Sequence, residues 1–195
     1  MKTGNILFSG VGGQGILLAS EVTALAFLAA GQDVKKSEVH GMAQRGGSVV
    51  AHLRYGERVY SPLIEPGAVD VQLAFELLEA ARYLPMLGPR STVVLNRQRL
   101  LPPSVALGQA VYPEELEEML RQRGLTVVGL DALEIARETG EVRTVNLVMV
   151  GALSVFLPLE AAIYEQVIEE RVPRRFREVN RRAFALGRQA VPAVA

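Results

Sequence analysis

Residues 10–15 read Gly-Val-Gly-Gly-Gln-Gly, and their flanks limit the fold more than anything else in the chain. Before them runs the apolar stretch Ile6-Leu7-Phe8; after them, from Ile16, apolar residues recur at helical spacing. That order is strand, tight turn, helix. Glycine has no Cβ, so Gly10, Gly12, Gly13 and Gly15 let the turn take unusual conformations and bring a ligand or another backbone close. The N–H groups that open the helix carry partial positive charge, which suits a phosphate or a carboxylate. Gln14 adds an amide able to donate and accept. Two readings fit the G-x-G-x-x-G spacing: a nucleotide-cofactor loop, or a turn with another role.

A second glycine-bearing stretch spans residues 37–48. Gly41, Gly46 and Gly47 would shape a loop that presents Glu38, His40, Gln44 and Arg45, with Ser37, Met42 and Ser48 around them. The Arg45 guanidinium offers planar, bidentate capture of a carboxylate or phosphate. His40 beside Glu38 reads either as a proton shuttle or as an oriented hydrogen-bond donor. The bland alternative is a mobile loop with a chance cluster of polar residues.

The rest of the chain alternates strand and helix patterns. Strands are expected at 5–9, 33–36, 48–55, 69–75, 92–96 and 125–130, and helices at 14–30, 76–87, 113–123 and 132–139. Residues 58–64 read as a hairpin partner of 48–55 across the Gly56 turn, and 105–111 as extended. From about residue 143 the pattern is helical to the end, with Pro158 and Pro173 opening new helices. The expectation is one α/β domain over residues 1–195: a Rossmann-like strand–turn–helix start, a mixed sheet with a hairpin, and a helical C-terminal part. The hairpin departs from βαβαβ winding and weakens the dinucleotide reading. His52 falls within a strand pattern and reads as structural. Asn146, in an apolar run, must find a partner if buried, at an interface or on backbone. The arginines of the last helix read first as a solvated basic face, then as a dock for an acidic partner, and last as a nucleic-acid contact.

Composition removes whole classes of function. Formal net charge is zero, so neither nucleic acid nor an anionic membrane is expected as a partner. The chain has no cysteine, which excludes disulfides, a thiolate nucleophile and an iron–sulfur cluster held by this chain. With only His40 and His52, a structural zinc site is not expected. The N-terminus leads into a strand pattern rather than a signal peptide, and the apolar window 16–30 is too short to cross a bilayer. A cytoplasmic protein is expected.

Taken together, the two glycine stretches closely resemble the gamma subunit or domain of 2-oxoacid:ferredoxin oxidoreductases, and within that family the small subunit of the indolepyruvate enzymes. The likeness extends to Ser61-Pro62, to Phe75-Glu76, Glu79-Ala80 and Arg82, to Asn96, Tyr112-Pro113, Asn146 and Gly151-Ala152, and to Asn180, Ala183-Phe184 and Gly187. The resemblance implies a subunit rather than a complete catalyst. Its large partner would carry thiamine diphosphate with Mg2+ and the iron–sulfur clusters. The complex would decarboxylate a 2-oxoacid, an aryl pyruvate such as indolepyruvate, to an acyl-CoA and reduce ferredoxin. Residues 12–15 and 44–48 are the implied contacts to the partner and to the CoA or substrate entrance, and no catalytic residue is assigned with them. Alone, the chain could form a homodimer. The rival reading is a stand-alone nucleotide-binding or regulatory module using Gly10–Gly15.

Overall fold

The computed structural model describes residues 3–40 and 46–192. In chain order the elements are β1 (Gly4–Val11), α1 (Ile16–Ala29), β2 (Asp33–His40), β3 (Ser48–Gly56), β4 (Val69–Ala74), α2 (Leu77–Arg82), β5 (Leu87–Asn96), α3 (Pro103–Ala106), α4 (Leu116–Gln122), β6 (Thr126–Leu130), α5 (Ala132–Glu138), α6 (Val145–Ser154), α7 (Ala161–Arg171) and α8 (Arg177–Gln189). The strands form one six-stranded sheet in the order β2-β3-β1-β4-β5-β6. β1, β4, β5 and β6 run parallel, while β3 lies antiparallel between β1 and β2.

Strand alternation divides the sheet's two faces. Ile6 and Phe8 of β1 point with Ala51, Leu53 and Leu73 into the core built with α1, α5, α6, α7 and α8. Leu7 points the other way, with Val50, Ile64 and Val69. Beside it, Ala74, Val93 and Leu95 meet Leu77, Leu116 and Leu120 from α2 and α4. Residues 146–154 of α6 are all buried, because the helix is sandwiched between the sheet and α8. Gly31, at φ 77°, follows α1 where the periodicity placed the helix end.

Four local expectations are corrected. Residues 58–64 form no strand; the hairpin is β2–β3 instead. Both edges of β3 are already taken by β1 and β2. The 57–64 segment is therefore held by side chains: the Arg54 guanidinium donates to the Ser61 and Leu63 carbonyls at 3.2 and 3.3 Å. The helix expected over 76–87 ends at Arg82, and after a 3-10 turn at Leu84–Met86, Gly88 and Pro89 belong to β5 rather than to a helix stop. Residues 105–111 are not extended, since α3 makes one helical turn behind Pro102. The acidic helix begins only at Leu116, because Glu115 adopts a left-handed conformation at φ 56°.

Candidate functional site

The carboxyl ends of the parallel strands gather the glycine turn, and the sheet pairing explains how the second glycine stretch reaches it. Val11 ends β1 opposite Ser48, which begins β3. The antiparallel contact continues past the strands: the Gly12 N–H donates to the Gly47 carbonyl at 2.8 Å, and the Gly46 N–H to the Gly12 carbonyl at 3.3 Å. The two stretches are thus one structural unit. Ser37 and Glu38 lie on β2 rather than in a loop, paired with His52 and Ala51, and Lys36 holds the Glu38 carboxylate at 2.6 Å. The His40 backbone closes β2. Gly41, Met42, Gln44 and Arg45 lie outside the described residues, as does the His40 side chain.

Gln14 is a brace. Its Oε1 accepts from the Val11 N–H at 2.7 Å, and its Nε2 donates to the Phe75 carbonyl and to Gln98 Oε1, both at 2.9 Å. Asn96 Nδ2 donates to the same Phe75 carbonyl at 3.2 Å, while Asn96 Oδ1 accepts from the Ala132 N–H at 3.2 Å. One amide network therefore joins the ends of β1, β4, β5 and β6. Gly10 is bare because a Cβ there would stand 2.9 Å from Gln14 Oε1 and from Phe75 Cβ.

Beside this edge, on the α2 face of the sheet, opens a cleft of about 400 Å³. Val11, Gly46 and Ser48 form one wall, Glu76, Glu79 and Arg82 another, and Leu100 and Leu101 a third. Both carboxylates are buried, so their oxygens need partners. Glu76 Oε1 accepts from the Leu100 N–H at 3.1 Å and from the Tyr112 hydroxyl, while Oε2 caps α2 by accepting from the Glu79 N–H at 2.9 Å. Glu79 accepts from Ser48 Oγ at 2.5 Å and from Arg82 Nε at 2.9 Å. Burial, then the bond to Glu76, holds the Tyr112 phenol well above its ordinary range, so it stays a donor. Every carboxylate oxygen here orients protein, and none is free for acid–base chemistry. Ser48 was expected at the site; Gln98 was not. The signal for Glu76 and Glu79 was a charged pair three residues apart directly after the β4 run, the spacing of a capping box.

Asn146, from α6, closes the edge on the opposite face. Its Nδ2 sits 2.9 Å from where a Cβ of Gly15 would stand, and Gly15 itself has φ 85°. Among the described residues, the donor set at this edge fits none of the iron–sulfur clusters or metals implied for the complex. There is no cysteine in the chain, both buried carboxylates are committed to protein donors, and the described residues contain no cluster of three His, Asp or Glu able to hold a metal. The described residues also contain no helix long and apolar enough to cross a membrane.

Among the described residues, the site is a sheet edge braced by Gln14 and Asn96, with a cleft beside it. The chain belongs to the pyruvate ferredoxin/flavodoxin oxidoreductase family, whose model matches residues 5–190. It is 42% identical to the indolepyruvate oxidoreductase subunit IorB of Thermococcus kodakarensis over 195 residues, covering 97% of this chain and 96% of the relative. It is 27% identical to the 2-oxoglutarate synthase subunit KorC of Archaeoglobus fulgidus, covering 94% of this chain and 85% of that one. Its fold matches the keto/oxoacid ferredoxin oxidoreductase gamma subunit of Geobacter sulfurreducens with a TM-score of 0.72 at 23% identity, over 96% of this chain and 97% of that one.

Proposed function

We propose that this chain is the small, non-redox subunit of a cytoplasmic 2-oxoacid:ferredoxin oxidoreductase that acts on an aryl pyruvate, indolepyruvate above all. The identity of 42% to an IorB chain along nearly the full length of both proteins carries the reading; the 2-oxoglutarate relative stands at 27%. In this reading a large partner subunit carries thiamine diphosphate, Mg2+ and the iron–sulfur clusters, and the complex passes electrons to ferredoxin and the acyl group to CoA. This chain contributes surfaces. The fused glycine stretches, Gly12 to Gly15 with Gly46, Gly47 and Ser48, face the partner, and Gln14 and Asn146 hold them in shape. Leu17 and Leu18, just past the turn, are 38% and 39% exposed, as suits residues covered on assembly.

The stand-alone nucleotide module finds no support. The Gly12 N–H is spent on Gly47 and the Gln14 N–H on Val11, so the turn is closed by its own chain. In addition, antiparallel β3 occupies the place beside β1 that a second parallel strand takes in a dinucleotide fold. Co-purification of the tagged chain from its native host tests the proposal. A brown complex containing a large, cysteine-rich subunit is the expected result. A colourless lone chain that binds nucleotide would overturn it.

A further inference from the structure

Between β5 and α4 the chain makes a loop whose two ends are fastened by one carboxylate oxygen. Glu76 Oε1 accepts from the Leu100 N–H at 3.1 Å and from the Tyr112 hydroxyl. A single buried side chain thus closes residues 100–112 into a compact loop of the Ω type. Gln98 secures the approach: its carbonyl accepts from the Leu77 N–H at 3.1 Å, and its Oε1 from Gln14 Nε2 at 2.9 Å. Inside the loop, α3 follows Pro102, and the Gln109 and Ala110 N–H groups both return to the Ser104 carbonyl, at 2.8 and 3.2 Å. Hydrogen bonds of its own therefore fix the loop in one shape.

Its composition does not suit water. In a chain with 22% charged residues, positions 100–113 hold no Asp, Glu, Lys, Arg or His. Large apolar side chains nevertheless stand in solvent there: Leu101 is 59% exposed, Leu107 72% and Val111 88%. A single exposed apolar residue needs no explanation. Three on one ordered, uncharged loop form the kind of patch that marks a protein contact, and the centre of such contacts is depleted in charge.

The loop also continues the glycine edge. Leu100 and Leu101 form one wall of the cleft of about 400 Å³ whose other walls include Val11, Gly46 and Ser48. Three side chains alone fall short of the roughly 800 Å² that each side of a stable interface buries, and the adjoining glycine edge supplies the rest. We infer that residues 100–112 are a preformed docking loop that seats Leu101, Leu107 and Val111 against an apolar, uncharged surface of the large partner subunit, beside the contact made by the glycine edge. Fixing the loop before binding lowers the entropy cost of association, which is what the Glu76–Tyr112 clasp contributes. The inference rests on the subunit reading above.

The test is the affinity of the tagged chain for the purified large subunit. Leu107→Ser with Val111→Ser is expected to weaken binding at least tenfold. The melting temperature of the isolated chain should stay unchanged, because both side chains are exposed. Leu28→Ser is the control: Leu28 is also exposed, but it lies in the last turn of α1, at the end of that helix away from the glycine turn. That variant should bind like wild type. Unchanged affinity in the double variant, or an equal loss in Leu28→Ser, would overturn the loop assignment and leave the subunit reading standing. A homodimer of the isolated chain that the double variant dissolves, with heteromer affinity unchanged, would give the loop to a second copy and overturn it too. A wild-type chain that fails to bind the large subunit would retire both.

Discussion

At the scale of single residues, the glycine turn separates two demands that look alike in the sequence. Gly13 has φ 106° with nothing within 4 Å of an added Cβ, whereas Gly15 has φ 85° and would drive a Cβ to 2.9 Å from Asn146 Nδ2. Gly13→Ala should cost about 1–2 kcal/mol, the backbone term alone. Gly15→Ala should cost more, about 3 kcal/mol, by adding the clash; urea unfolding of the two variants checks the order. His52 carries a pH signature. Burial pushes its imidazole below the ordinary 6.5, and its Nδ1 must be unprotonated to accept the Ile64 N–H at 3.2 Å. As pH falls, the unfolded chain therefore takes up the proton first, so the stabilisation present above pH 6.5 is lost below it. The urea midpoint should drop between pH 7.5 and 5.5, and His52→Gln should narrow that drop.

At the scale of elements, α6 and α8 cross closer than any side chain allows. A Cβ on Gly187 would stand 1.9 Å from the Val148 carbonyl oxygen, and one on Gly151 would stand 2.1 Å from that of Phe184. Gly187→Ala should cost roughly 3 kcal/mol by prising the pair apart, a melting-point loss on the order of 10 °C for a chain of this size. Through Asn146, at the start of α6, the same shift should loosen the glycine edge. The elements that could be read from the sequence were those whose pattern is local. The β1–turn–α1 start, β3, β4, β6, α5 and the run of C-terminal helices follow from apolar spacing and glycine or proline stops. The partner of β3 did not follow, because alternation says that a strand pairs but not with which strand. Nor did the short α2, where Gly88 and Pro89 resemble a helix stop but enter β5: a Cβ on Gly88 would stand 2.4 Å from the Gly67 carbonyl oxygen, a constraint set by a distant loop. At the site, the glycines were legible as a turn. Their fusion through Gly12 and Gly47 was not, since it depends on the register of β1 with β3.

At the scale of the whole molecule, the proposed function makes the glycine edge, where Gly12 bonds Gly47, the face that the partner subunit covers. Arg45→Ala should reduce assembly or turnover of the complex while leaving the thermal unfolding of the isolated chain unchanged. Equal turnover by the variant complex would remove that loop from the account. The central claim is tested most directly by one assay: indolepyruvate- and CoA-dependent reduction of ferredoxin by this chain, by the large subunit, and by the two reconstituted together. The account predicts turnover only in the reconstituted mixture, with indolepyruvate preferred over 2-oxoglutarate. Full turnover by the large subunit alone, or none on mixing two folded subunits, would contradict it.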